Sequence, residues 1–357
     1  MSQIADYLID KNKPVLVTGA SGYIASWLVK ILLENGFKVN AAVRDPNNEK
    51  KISHLKEIAL GLNGEIQFFK SDLLKKGSYK DAMSGCELVF HTASPFILDV
   101  NDPLKDLVEP AVNGTRNVLE QANETPSVKK VVLTSSVAAI YSDNADIKET
   151  PGNILTEEIW NTKSSLNHQP YSYSKTLAEK EAWNIYEKQS KWGLVVINPS
   201  LVLGPALNPQ SITSESFRLI KQFGDGSTKF GVPKMGFGVV DVRDVAQAHY
   251  NAGVMKIPVG RYIVSAHNTY FLDMAKTLLP KFGEQYPIPK RIMPKFLVLL
   301  FGPMINKALT RKFISGNVGY PFIADNSKSI KVLKLKYRQL EDTMCDTFQQ
   351  LIDYKLI

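Results

Sequence analysis

A doubly wound, parallel α/β sheet with a smaller C-terminal domain beside it is the fold class this sequence predicts. Three observations carry the prediction. Short runs that are apolar nearly throughout alternate with longer helical patterns in the first half of the chain. A glycine-bearing turn joins the first such run to the first helix. After about Pro199 the rhythm breaks into Gly- and Pro-rich turns.

The elements follow in order. "PVLVT" leads into "YIASWLVKILLENG", whose apolar residues recur at helical spacing and whose end is marked by Gly36. "KVNAAV", "EIQFFK", "ELVFHTA", "KKVVLTSS" and "GLVVINPS" are further strands, each separated from the next by a helical stretch. Strands without polar alternation are buried on both faces, and right-handed crossovers between them wind the sheet twice. The predicted division is a dinucleotide-binding domain over residues 1–199 and a substrate-binding domain over 200–357. The boundary is interleaved, with "FGVVDVRDVAQAH" and "GRYIVSA" (near 238–266) offered as returning segments.

Composition narrows the class. The chain has 357 residues, 44% hydrophobic and 22% charged, as an ordinary globular protein does. Its two cysteines, Cys86 and Cys345, have no CxxC spacing and predict no disulfide framework. That usage and the acid-bearing N-terminus predict a reducing, cytoplasmic setting. The five histidines show no metal-ligand spacing, so no metal is expected. The net charge of +8 is scattered and lacks a recognition motif, so nucleic acid is not an expected partner. "FLVLLFGPMI" is too short to span a bilayer, and it reads as a buried helix or substrate lid, with surface contact with a membrane as the alternative.

The glycine turn is the first candidate site. Gly19 and Gly22 let the backbone approach a pyrophosphate, and the following helix N-terminus points N–H dipoles at it. The predicted contacts are Gly19, Ser21, Gly22, Tyr23 and Ile24, with Ala25 small enough to replace a third glycine. The second strand ends at Val43 and Arg44 where an NAD site usually offers a carboxylate. A guanidinium pairs with a 2′-phosphate, so Arg44, with Lys51 adding charge, predicts NADP(H). Asp72 and Leu73 are placed to meet the adenine, and Thr92, Ala93 and Ser94 the far half of the cofactor.

The second candidate site is "QPYSYSKTLAEKEAW". On a helix, Lys175 sits over Tyr171, four residues earlier, while Tyr173 faces nearly the opposite way. An ammonium beside a phenol, whose free pKa is about 10, favours the phenolate and eases proton exchange near neutral pH. The pair falls one β–α unit after Ser135 and Ser136, at the sheet edge where open α/β proteins bind ligands. A hydroxyl there can polarise a substrate carbonyl.

"TGASGYIASWL", "VRDP", "FHTASP", "VVLTSS", "YSYSKTLAE", "NPSLVLGP" and "GRYIVSAH" occur in the order found in extended short-chain dehydrogenases/reductases. From about Pro14 to Ala266 the chain resembles the dihydroflavonol reductase and cinnamoyl-CoA reductase branch, including its bacterial aldehyde/ketone reductases. The resemblance implies a Rossmann fold and a Ser136–Tyr171–Lys175 triad, with Ser135 a neighbour. It also implies a ribose contact from Lys175 and a nicotinamide contact from Pro199. The acidic pair of the sugar-nucleotide dehydratases is missing, since Ser136 and Val137 stand there.

The expected activity is therefore reduction of a small-molecule aldehyde or ketone by NADPH. A sugar-nucleotide epimerase and a non-enzymatic NADP-binding redox sensor are the rivals; the sensor would have no need of Tyr171 and Lys175. Ser94, Phe96, Ser136 and Tyr173 are the expected substrate contacts. The relatives implied include monomers and homodimers, and residues 291–319 match nothing in the resemblance.

Overall fold

Val15, Leu16 and Val17 are wholly buried, and successive side chains enter opposite cores, because a strand's residues alternate between its two faces. A computed structural model describes residues 9–94, 100–208, 211–212, 214–305 and 309–357. Strands and helices alternate as β1 (Val15–Thr18), α1 (Tyr23–Glu34), β2 (Lys38–Val43), α2 (Glu49–Leu60), β3 (Glu65–Lys70) and α3 (Lys80–Met83). They continue as β4 (Leu88–His91), α4 (Glu109–Glu124), β5 (Lys130–Thr134), α5 (Pro170–Tyr186) and β6 (Gly193–Pro199).

The chain then leaves this pattern through β7 (Leu201–Leu203), α6 (Glu215–Lys221), β8 (Val232–Pro233) and β9 (Gly236–Asp241). It comes back with α7 (Val242–Val254) and β10 (Gly260–Val264). The remainder is β11 (His267–Tyr270), α8 (Phe271–Lys276), α9 (Leu279–Phe282), β12 (Ile292–Met293), α10 (Lys295–Ile305), α11 (Arg311–Asn317), α12 (Ser327–Val332) and α13 (Leu340–Asp353).

The main sheet has seven parallel strands in the order β10-β6-β5-β4-β1-β2-β3. Strand order reverses between β1 and β4, which opens a crevice at their carboxyl ends. One face packs Leu28 and Leu32 of α1, Ile52 of α2 and Val245 of α7 against the sheet. The other packs Met83 of α3, Val118 and Leu119 of α4, and Ala182 of α5. Of the two segments expected near 238–266, α7 and β10 return to this sheet, whereas β9 joins a three-stranded sheet of order β11-β9-β7. Gly236 and Gly238 suit β9 to that place, because a Cβ on either would lie within 2.3 Å of Phe322 atoms. A separate core, including Phe217, Phe223, Phe271, Met344 and Phe348, consolidates this C-terminal part.

Lys130, at the start of β5, is wholly buried. Its ammonium donates to the carbonyls of Ala252 (3.3 Å), Gly253 (3.0 Å) and Met255 (2.8 Å), which closes the C-terminal end of α7. Burial pushes its pKa down to about 8. Among the described residues, no helix is long and apolar enough to cross a membrane.

Candidate active site

The turn from β1 into α1 is shaped by close approach. Gly19 has φ +62°, and a Cβ there would lie 3.1 Å from Ala93. Gly22 caps α1 without a side chain of its own, so the first-turn N–H groups keep no side-chain acceptor from that cap. This is the donor set an anionic pyrophosphate requires. A segment of the C-terminal part lies across the turn. Asn208 Nδ2 donates to the Ser21 carbonyl (2.7 Å), and Trp27 Nε1 to the Pro205 carbonyl (2.8 Å). Tyr23 Oη donates to the Gly204 carbonyl, so its side chain belongs to packing and only its backbone, like that of Ile24, faces the cap.

At the second strand end, Arg44 is exposed, and Asp45 accepts the Asn47 N–H (3.0 Å). Lys51 is exposed on the first turn of α2. Asp72 Oδ1 accepts the Leu74 N–H (2.9 Å), and the Leu73 side chain fills the space that a Cβ on Gly114 would need. Both residues thus have structural work at the end of β3.

The end of β4 is tied to β1 through Thr18. Its hydroxyl accepts N–H bonds from Thr92 (3.1 Å) and Ala93 (3.0 Å), which uses both lone pairs. The hydroxyl proton is left for His91 Nδ1 at 3.0 Å. Burial, reinforced by the Lys175 ammonium, pushes His91 down to about 3, so its ring is neutral at physiological pH.

Helix α5 carries the predicted acid and amine. It begins with Pro170 in its first turn, after Gln169 in a left-handed conformation (φ 53°, ψ 53°). Tyr171 is half exposed. Lys175 Nζ lies 5.8 Å from the Tyr171 ring centroid and donates to Ser94 Oγ at 2.9 Å. One turn further, Glu179 is buried and gathers several donors. Ser135 Oγ, Asn198 Nδ2 (2.8 Å) and Arg261 Nε (2.6 Å) all donate to it. Arg261 also stacks on Trp160, its guanidinium carbon 3.9 Å from the ring centroid.

This network separates the two serines by environment. Ser135 is committed to Glu179, while Ser136 caps the short turn Val137–Ala139, its Oγ accepting the Ala138 N–H (3.1 Å). The Ser136 hydroxyl proton is not used by that cap. The turn packs directly on α5, and Asn198 Nδ2, just before Pro199, also donates to the Ser136 carbonyl (3.1 Å).

A cavity of about 200 Å³ opens beside the short turn that follows Ser136. Its lining includes Val137, Tyr141, Gln169, Ser172, Phe237 and Phe313. Ser136, Tyr171 and Tyr173 are not among its lining residues. Phe96 lies outside the described residues. A second buried carboxylate, Asp143, borders this side. It pairs with His168 Nε2 (2.6 Å) and accepts Gln169 Nε2 (2.9 Å) and Asn317 Nδ2 (2.7 Å). Asn317 and Phe313 come from α11, so the segment 291–319 supplies one wall of the cavity.

Sequence reasoning missed Glu179, Asp143 and Arg261. Glu179 had one available signal, its i+4 spacing from Lys175; the partners of the other two are distant in sequence.

The chain belongs to the NAD dependent epimerase/dehydratase family, whose profile matches residues 15–258. It is 36% identical over 344 residues to cinnamoyl-CoA reductase CAD2 of Medicago truncatula, covering 96% of each chain. It is 37% identical over 285 residues to the anthocyanidin reductase of Arabidopsis thaliana, covering 76% of this chain and 82% of that protein. The crystal structure of yeast methylglyoxal/isovaleraldehyde reductase Gre2 complexed with NADPH superposes with TM-score 0.76 at 28% identity. That match covers 96% of this chain and 99% of the yeast chain. Within the family the chain is an extended short-chain oxidoreductase of the dihydroflavonol reductase/cinnamoyl-CoA reductase type.

Proposed function

We propose that the protein reduces an aldehyde or ketone carbonyl to an alcohol with NADPH. The observation that carries this reading is the Tyr171–Lys175 pair on α5, anchored by Lys175 to Ser94 at the end of β4. A phenol, an ammonium and a strand-end hydroxyl near the point where the strand order reverses support this reading. NADPH bound across the glycine turn supplies the hydride.

The protein's own groups do the rest. Gly19, Gly22 and the first turn of α1 hold the pyrophosphate. Arg44, with Lys51 near it, selects the 2′-phosphate. Lys175 reaches the nicotinamide ribose. Ser136 donates its free hydroxyl proton to the substrate oxygen, which steadies developing negative charge, and Tyr171 delivers a proton to that oxygen. Glu179 is a positioning residue: it fixes Ser135, and through Asn198 the Ser136 backbone.

The cavity supports a substrate with an apolar or aromatic body, given Tyr141, Phe237 and Phe313 on its walls. Gln169, Asn144 and Asn317 give it a polar side. The relatives named above are reductases of cinnamoyl-CoA, anthocyanidin and methylglyoxal/isovaleraldehyde by name.

The test is a mixture of purified protein, NADPH and a panel of aromatic and branched aliphatic aldehydes and ketones, followed by cofactor absorbance. Tyr171→Phe is expected to lower kcat by about 10²–10⁴-fold while NADPH affinity, read by fluorescence titration, stays within about twofold. Full activity in that variant, or no turnover of any carbonyl with NADPH binding intact, would refute the reading. Co-purification of tightly held NAD would favour the sugar-nucleotide epimerase instead.

A further inference from the structure

We infer that α10 is a docking surface for an anionic phospholipid membrane. The helix reads "KFLVLLFGPMI", with no polar side chain after Lys295. A helix that is apolar all round belongs in a protein core or in lipid. Here one arc is in a core: Val298 packs with Ile314 and Val318, and a Cβ on Gly302 would lie 3.1 Å from Ile314. The opposite arc has no protein cover among the described residues. Phe296 is 68% exposed, Leu300 57% and Met304 82%, and Ile305, the last residue of the helix, is 81% exposed. Ile292, at the β8–β12 ladder just before the helix, and Phe230, next to Gly231 at its other strand, are exposed as well. Exposed apolar groups gathered this way mark an interaction surface.

Charge identifies the partner. Between Glu284 and Asp325 the sequence has no acidic residue, and it carries Lys290, Arg291, Lys295, Lys307, Arg311 and Lys312. Lys290, Arg291, Arg311 and Lys312 are exposed on either side of the helix. Lys295 is otherwise engaged, donating to the carbonyls of Ser315 (3.1 Å) and Val318 (2.7 Å). An apolar helix flanked by cations matches a membrane interface, where the apolar arc enters the acyl boundary and the cations meet lipid phosphates. A second copy of this chain is the poorer fit, because a two-fold contact would bring the same cations face to face. Nucleic acid is poorer still, since phosphates offer nothing to Phe296, Leu300 or Met304.

Position gives the contact a use. Lys295 stitches α10 to the end of α11, and α11 presents Phe313 and Asn317 to the substrate cavity. Resting on the carbonyl-reductase reading, a docked enzyme draws an apolar carbonyl compound from the bilayer rather than from water.

The test is co-sedimentation of the full chain with phosphatidylcholine vesicles and with vesicles that also contain roughly 30% phosphatidylserine. Partitioning is expected to be at least about tenfold stronger on the anionic vesicles. Phe296→Glu and Met304→Glu should each weaken it by about tenfold or more, and Arg311→Gln with Lys312→Gln should remove most of the preference for anionic lipid. Turnover of a water-soluble aldehyde is read in parallel; both Glu variants should keep it, which shows that they are folded and separates this inference from the reductase reading. Equal binding to both vesicles, no binding, or unchanged binding by the Glu variants would overturn the proposal. So would a concentration-dependent dimer, seen by sedimentation velocity, that the same variants dissociate.

Discussion

Two buried carboxylates, one before the helix that carries Tyr171 and one within it, organise different kinds of structure. Glu179, two turns beyond the tyrosine, joins α5 to the ends of β5 and β6 and to the start of β10, all strands of the main sheet. Asp143, before the helix begins, joins the loop after Ser136 to His168, Gln169 and the α11 residue Asn317. The first hub sits in scaffold, where each partner is itself held by a strand. The second sits where an irregular loop, a helix start and a late segment meet. The lesson is a division of labour: groups assigned to proton transfer rest on the sheet, whereas cavity walls rest on contacts that few other elements constrain.

Removing one hub at a time tests that division. The largest effect is expected from Glu179→Ala, which strands Arg261 with its guanidinium buried. A loss of about 3–5 kcal/mol in unfolding free energy should follow, measured by urea titration. Glu179→Gln should recover part of it by keeping an acceptor. A loss near zero would mean that the sheet holds α5 without this carboxylate.

Asp143→Ala should cost less, about 2–3 kcal/mol, because two of the donors it leaves unpaired, Gln169 and Asn317, are amides. Its distinguishing sign is kinetic. KM for the carbonyl substrate should rise severalfold while NADPH affinity holds, since Gln169 and Asn317 border the cavity. An equal loss of NADPH affinity would erase the distinction between the hubs.

The smallest effect concerns pH and reports on the main-sheet half alone. Burial pushes His91 down to about 3, and His54 and His249 to about 4, against an unfolded value near 6.5. The unfolded chain binds more protons across that window, so stability is present above the unfolded pKa and is lost as pH falls toward 4. Between about pH 7 and about pH 6 the expected loss is about 0.7 kcal/mol for each histidine. Urea midpoints that do not move over that interval would show that these rings accept protons without unfolding.

Local signals were the legible ones. The glycine turn is a matter of three residues' spacing, and the Tyr171–Lys175 pairing follows from helical periodicity alone. Strand identities came from uniform apolarity, which a buried parallel sheet requires. What escaped was assembled across long separations. Arg261 meets Glu179 from 82 residues away, and Asn317 meets Asp143 from 174. No periodicity encodes such pairs. As sequence, "FGVVD" looks like any buried strand; it pairs with β7 and β11, and Phe322 lies against its glycines. As sequence, "FLVLLFGPMI" fits a buried helix, a lid or a membrane-contacting surface equally, and half of its circumference is exposed. Composition reports that a segment is apolar, and only packing reports what covers it.

The three bonds from Lys130 to the end of α7 have a use in the laboratory. An amine that gives all of its hydrogens to carbonyls inside the fold is shielded from acylating reagents, and burial, which lowers its pKa to about 8, is also what keeps reagents away. Modification of Lys130, followed by mass spectrometry against the surface lysines, therefore serves as a clock for how often the centre of the molecule breathes open.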